Sequence, residues 1–233
     1  MTAVATTARV AVLAALAGEA RSAAVLAARG WQVQLSGIGP VRARRAAERL
    51  LAAGVHRLLV WGTAGGLDTA LQPGAVLLPD IIVKGADGRR FPVSMPWHVQ
   101  LVQALAPLGA SVMGDGILVT VPEAAATHAA KRALAAQSGA CMVDMEAAAV
   151  AEAAMQAGAE FAVIRVLADD VDIALPAAVL AALDSPHLYL AVLAGLLRRP
   201  QDLPAVLRLD RTFRRAYRRL AAVAHLLAAA STL

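Results

Sequence analysis

The stretch Val143-Asp144-Met145-Glu146-Ala147-Ala148-Ala149-Val150-Ala151 runs from an apolar strand into an alanine-rich helix and sets two carboxylates at the change. An acidic first turn is favoured by capping and by the helix dipole, so Asp144 and Glu146 read either as caps or as members of a site. Two further segments share the pattern. Trp61-Gly62-Thr63-Ala64-Gly65-Gly66-Leu67 and Arg165-Val166-Leu167-Ala168-Asp169-Asp170-Val171-Asp172 also put small or acidic residues directly after an apolar run. Three strand ends furnished in this way point to one site.

Working outward, residues 10–16, 32–35, 58–61, 75–78, 117–120, 141–143 and 161–167 are short apolar runs with β-branched residues, the mark of largely buried strands. Helix-like segments lie between them at 19–29, 41–53, 97–106, 123–137 and 145–157, and two long helices are predicted at 176–197 and 203–230. Strand and helix alternate, which predicts an α/β fold: a single three-layer domain with a central, mostly parallel twisted sheet flanked by helices. Residues 1–175 form the expected core, and 176–233 are C-terminal helices of the same domain. In such folds ligands bind beyond the carboxyl ends of the strands, where all three segments fall.

At 233 residues with 59% apolar content, the chain has ample material for one core. Aromatics are 3%, too few for a base-stacking RNA platform. The lone Cys141 excludes an intramolecular disulfide and reads as a structural thiol in a reducing cytoplasm. Histidines 56, 98, 128, 187 and 225 have no ligand spacing, so neither a metal nor a cofactor is expected. The apolar run after Arg9 reads as a first strand rather than a secretory signal, and the charge-free stretches are shorter than the roughly 18 residues a membrane span needs. The charge is uneven: residues 185–233 hold eight arginines and two aspartates, so the net +5 of the chain belongs to its end. In the last helix Leu203, Val206, Leu207, Phe213, Tyr217 and Leu220 approximate an apolar face, and the arginines occupy the rest. That helix either packs with a solvated basic face or meets acidic lipid headgroups at a membrane surface. A non-catalytic scaffold with a nucleic-acid-facing tail has only the basic helix in its favour, and no nucleic-acid partner is expected.

Ser36-Gly37-Ile38-Gly39, Gly62 to Leu67, Val143 to Ala147 and Arg165 to Asp172 together resemble, in order and spacing, the purine nucleoside phosphorylase and methylthioadenosine/S-adenosylhomocysteine nucleosidase superfamily, over about residues 9–176. The Leu-Arg-Arg-Pro-Gln-Asp-Leu-Pro segment and the basic end look like its hopanoid-associated branch, which acts on adenosylhopane. The resemblance implies scission of a ribosyl C–N bond with release of adenine, in a cytoplasmic enzyme that is peripheral to the inner membrane if the tail meets lipid; the alternative it implies is a soluble methylthioadenosine/S-adenosylhomocysteine nucleosidase or a phosphate-dependent purine nucleoside phosphorylase. It also implies a homodimer whose neighbouring subunit completes the pocket for the 5′ group.

Residue by residue, the resemblance implies that Asp169 is the general acid that protonates the leaving purine, with Asp170 the competing candidate. A carboxyl group does this near neutral pH only if its pKa is raised, and Asp170 and Asp172 push it that way. Glu146 corresponds to the glutamate on the ribose hydroxyls and Glu19 to the glutamate that deprotonates the attacking water. Thr63, Ala64, Gly65, Met145 and Asp144 correspond to the ribosyl surround. Phosphate-dependent relatives place an arginine three residues before the position of Thr63; this chain has Val60, which favours water as nucleophile, although Arg21, Arg42, Arg44 or a partner's arginine remain possible anion ligands. An aromatic under the base is missing from Val121-Pro122-Glu123-Ala124-Ala125-Ala126, so a large apolar 5′ substituent is expected to carry more of the affinity.

Overall fold

The computed structural model describes residues 9–169, 176–182, 185, 188–231 and 233. The chain order is β1 (Val10–Ala14), α1 (Ala17–Ser22), a 3-10 segment (Ala24–Arg29), β2 (Gln32–Leu35), α2 (Pro40–Ala52), β3 (Arg57–Gly66), β4 (Val76–Leu77), β5 (Ile81–Lys84) and β6 (Arg90–Pro92). It continues with α3 (Met95–Ala104), a 3-10 segment (Ala106–Ser111), β7 (Val112–Met113), β8 (Ile117–Thr120), α4 (His128–Ser138), β9 (Met142–Asp144), α5 (Ala147–Gln156) and β10 (Glu160–Asp169). Last come α6 (Ala177–Leu180), α7 (Leu188–Arg198), a 3-10 turn (Pro200–Asp202) and α8 (Leu203–Ala229).

β3 is the axis of the sheet. It pairs in parallel with β1 on one side and β10 on the other, and β1 pairs in parallel with β2. Past Trp61 it leaves β1 behind, and its Gly65 and Gly66 pair antiparallel with β9. β9 then carries β8, β5 and β6 as a second wing, and β4 and β7 extend the sheet from β10. The sheet is therefore mixed, with most pairings parallel.

Alternate residues of β3 and β10 feed two cores. Leu58, Val60, Phe161 and Val163 meet Ala43, Ala46, Ala47 and Leu50 of α2 and Ala147, Val150 and Ala151 of α5. Leu59, Trp61, Ala162 and Ile164 meet Leu26, Trp97 of α3, and Leu220, Val223 and Leu227 of α8. Burial on both faces is why these strands read as continuous apolar runs.

Several boundaries differ from those expected. The Gly62–Gly66 stretch, beyond the end of the strand expected at 58–61, is strand, because β10 and β9 supply ladder partners to the glycines. The 123–137 helix starts at His128, where the Thr127 hydroxyl caps it by accepting from Ala130 N at 3.2 Å. The helix expected over 176–197 is two helices, and the hairpin of β5 and β6 was not anticipated. On α8 the buried residues are Leu209, Ala216, Leu220, Val223, Ala224 and Leu227, whereas Leu203 and Leu207 of the expected apolar face are exposed. Helix α8 packs on the sheet only from its third turn onward.

Candidate active site

Glu19 sits at the third position of α1, 2% exposed. Its Oε2 accepts from the N–H of Leu16 at 3.0 Å and of Ala15 at 3.1 Å, the return half of a capping box. Its Oε1 accepts from the backbone N–H and the hydroxyl of Thr63, each at 2.8 Å. The helix carrying it is pinned from behind: Ser22 Oγ donates to Glu19 O, and Trp61 Nε1 donates to Ser22 Oγ. On its outer side Gly18 lies under the ring of Tyr217, where a Cβ would come within 2.5 Å.

The two carboxylates at the β9–α5 change divide the roles that sequence left open. Asp144 does cap: its Oδ2 accepts from Ala147 N at 3.0 Å, and its Oδ1 accepts from Thr120 Oγ1 at 2.6 Å. Thr120 in turn accepts from Ala148 N. Glu146 makes no cap bond; it turns away from the helix and accepts at Oε1 from Gly39 N at 2.9 Å, which draws the Ser36–Gly39 turn into the site. Met145 between them is half-buried.

Sequence reasoning gave Arg165 no role, and it is the hub of this arrangement. Its side chain, 1% exposed in the middle of β10, pairs with Asp144 and lies 3.5 Å from Glu146 Oε2. Its Nη1 and the Glu19 carboxylate converge on the α carbon of Gly62: a Cβ there would stand 2.5 Å from Glu19 Oε1 and 2.7 Å from Arg165 Nη1. Gly62 has φ +152°, a conformation that other residues rarely adopt. The available signal was an arginine inside an otherwise apolar strand, a placement that demands a partner. Thr120, at the end of β8, was missed in the same way.

One guanidinium thus faces three carboxylates, and the excess negative charge shapes the titration. Glu146 is pushed up to about 7, by burial first and then by Asp144; Arg165 and the Gly39 N–H pull the other way, and Glu19 adds to the rise. For Arg165, burial alone lowers the pKa, but Asp144, Glu146 and Glu19 outweigh it and raise the value. A small cavity bounded by Ser36, Trp61, Glu146 and Arg165 lies beneath the group. Among the described residues no cluster of His, Cys, Asp or Glu is suited to a metal ion.

The model of the phosphorylase superfamily matches residues 18–185 of this chain. The chain belongs to the phosphorylase superfamily. Its fold is shared by solved structures over nearly their whole length. A 5′-methylthioadenosine/S-adenosylhomocysteine nucleosidase described as putative, from Francisella philomiragia, is 18% identical with TM-score 0.72, over 95% of this chain and 99% of that one. The Helicobacter pylori 5′-methylthioadenosine/S-adenosylhomocysteine nucleosidase is 16% identical with TM-score 0.70, over 93% and 95%. The futalosine hydrolase of the same species, as a mutant, is 15% identical with TM-score 0.66, over 93% and 98%. No curated protein matches.

In this superfamily member Glu19 follows β1, Thr63, Thr120, Asp144 and Asp169 lie at or near the carboxyl ends of β3, β8, β9 and β10, and Arg165 lies within β10; an open α/β sheet offers that edge to ligands. Thr63, Ala64 and Gly65 run along the end of β3, with Ala64 buried. The backbone of Asp169 ends β10 in register with Gly65, after a bulge that separates it from the Leu167–Ala64 pair. Asp170 and Asp172 lie outside the described residues. Of the anion ligands considered, Arg44 is engaged elsewhere, with Glu48, Glu152 and Gln156. Arg21 donates to Ala17 O of its own helix, and Arg42 is exposed beside Gly37.

Proposed function

We propose that the chain cleaves the ribosyl C–N bond of an adenosyl compound and releases adenine, with water as the nucleophile. The observation that carries this reading is the enclosure of a single guanidinium by Glu19, Asp144 and Glu146. A site with surplus carboxylate attracts the positive charge that grows on the sugar in an oxocarbenium-like transition state, and it repels a phosphate anion. The one cation in the group, Arg165, is already neutralised.

On this reading Glu146 accepts hydrogen bonds from the ribose hydroxyls and steadies the cationic sugar, and Met145 covers a face of the ring. Glu19 orients water and takes its proton. Three of the four donors on Glu19 are backbone N–H groups and fixed; the Thr63 hydroxyl is the one that can turn aside and free a lone pair for water. Asp169 protonates the departing purine, a role consistent with its backbone lying beside Gly65. Asp144 and Thr120 act through Arg165 and the start of α5, holding Glu146 in place. We assign the 5′ substituent as large and apolar, adenosylhopane being the candidate; the lack of an aromatic between Ile117 and Ala126 supports it, since affinity must then come from the other end of the substrate.

Adenine release from 5′-methylthioadenosine, S-adenosylhomocysteine and adenosylhopane in detergent tests the reading. Release of adenine from adenosylhopane with the highest kcat/KM supports the full assignment. Faster turnover of the small thioethers retains the chemistry and overturns the substrate, and no release from any of the three overturns both.

A further inference from the structure

Five of the ten large exposed hydrophobic side chains among the described residues fall within one short span: Leu190, Leu193 and Leu197 on α7, and Leu203 and Leu207 on α8. Among the described side chains of α7 the exposed positions are 190, 193, 194, 197 and 198, a single helical stripe that is apolar until Arg198. Leu197 is the most exposed of the ten, at 81%. The opposite side of the helix is packed, with Gly195 so close to Ala178 of α6 that a Cβ would stand 3.1 Å away. The stripe is therefore turned outward by construction.

The cations border these leucines. Arg198 and Arg199 follow the stripe directly and are exposed. On α8 the exposed line that starts with Leu203 and Leu207 continues through Arg211, Arg214 and Arg218, with Arg208 and Arg215 beside it. Asp210, ion-paired with Arg214, is the one acid on the exposed part of α8. The matched superfamily region ends at 185, before both stripes.

We propose that this leucine stripe and its arginine border are a docking face for a lipid bilayer containing anionic phospholipid. The leucines enter the headgroup boundary, and the arginines stay at the phosphates. Charge complementarity selects this occupant. A second copy of the chain would set the same arginines against each other across a two-fold axis, and a nucleic acid would leave the leucines in water. No helix among the described residues is long and apolar enough to cross a membrane, so the contact is interfacial. The proposal is independent of the chemistry at Glu146 and holds or fails without it.

Co-sedimentation of the full chain with phosphatidylcholine vesicles, with and without phosphatidylglycerol, tests it, and soluble-substrate turnover serves as a folding control. The expected result is binding to the phosphatidylglycerol vesicles that weakens as salt rises. Arg198→Glu with Arg199→Glu should lower partition by more than about twentyfold, since each arginine contributes roughly a fivefold factor. Leu190→Ser, Leu193→Ser and Leu197→Ser together should lower it by at least a further order of magnitude. All variants should remain monodisperse, with turnover unchanged. Equal binding by the leucine variant would reduce the contact to nonspecific charge and overturn the proposal. So would absence of vesicle binding at low salt, or a leucine-dependent self-association that assigns the face to a second copy.

Discussion

Glu19 and Thr63, 44 residues apart in the chain, are joined twice: one carboxylate oxygen takes both the N–H and the hydroxyl of Thr63 at 2.8 Å. The pair couples the first turn after β1 to the end of β3 and fixes the proposed base over the ribosyl site. Thr63→Val keeps the backbone bond and removes the hydroxyl. That bond ties the carboxylate into the folded protein and is given up when water binds, so Thr63→Val should lose about 1.5–3 kcal/mol of stability and change kcat/KM by less than about tenfold. Thr63→Ser should restore most of that stability. Glu19→Gln should cost more in kcat/KM, about a hundredfold to ten-thousandfold, if it removes general-base catalysis. Denaturation and steady-state kinetics of the three variants separate these effects; a harmless Glu19→Gln would remove that residue from the chemistry.

Gly62→Ala asks a φ of +152° of a residue with a side chain and drives its Cβ into the Glu19 carboxylate and the Arg165 guanidinium. Neither neighbour has space to retreat. We expect a loss of about 2–4 kcal/mol in stability, visible as a lower Tm, and activity near background.

Arg165→Met leaves Asp144 and Glu146 buried without their cation. Removing one partner of a buried pair costs about 3–5 kcal/mol, so Tm should fall sharply at neutral pH and recover in part at acid pH, as Glu146 protonates. A calorimetric scan at two pH values checks this; a pH-independent loss would point to packing instead.

The pH dependence follows from Glu146, raised from 4.5 to about 7 chiefly by burial. The folded state holds this proton more tightly than the unfolded state does. Its contribution to stability is therefore complete below about pH 4.5 and is lost as pH rises through about 7. Glu146→Gln, which mimics the protonated form, should flatten that decline. On the proposed role of Glu146 at the ribose hydroxyls, which needs the ionised group, activity runs the other way, and kcat/KM should rise with pH through about 7 on its acid limb. Parallel denaturation and kinetic profiles test both signs.

Arg29 closes the far end of α8. It donates to Leu227 O at 3.0 Å, Ala228 O at 3.2 Å and Leu233 O at 2.6 Å, and also to Ala230 O, and it lies over the Trp31 ring. The Leu227, Ala228 and Ala230 oxygens belong to the end of α8, where a helix leaves its carbonyls unpaired. Arg29→Ala should lose about 1–3 kcal/mol and raise hydrogen exchange over the last turns of α8, while kcat stays within about twofold.

How much of this could be read from sequence differs by element. The long apolar runs of β3 and β10 announce a doubly covered sheet because both their faces are buried, and the alanines of α2 and α5 announce close packing on it. The strand-end residues Thr63, Asp144 and Glu146 were legible as a set because their positions relative to apolar runs are local facts. Arg165 was not, since its role depends on a partner that reaches it only through sheet register. Asp144 likewise reads as a site group in sequence, yet both its oxygens are occupied by Thr120, Ala147 and Arg165. The outward face of α8 was misread because periodicity assigns Leu203 and Leu207 to an inner side, while the start of that helix has no sheet beneath it.

The central claim is that a carboxylate-rich site built around Arg165 uses water rather than phosphate. The most direct test is the identity of the sugar product when adenosyl substrate is turned over in saturating inorganic phosphate, read by mass spectrometry. Free sugar in full stoichiometry with adenine, at a rate unchanged by phosphate, is the predicted result. A sugar 1-phosphate formed in proportion to added phosphate would contradict the account.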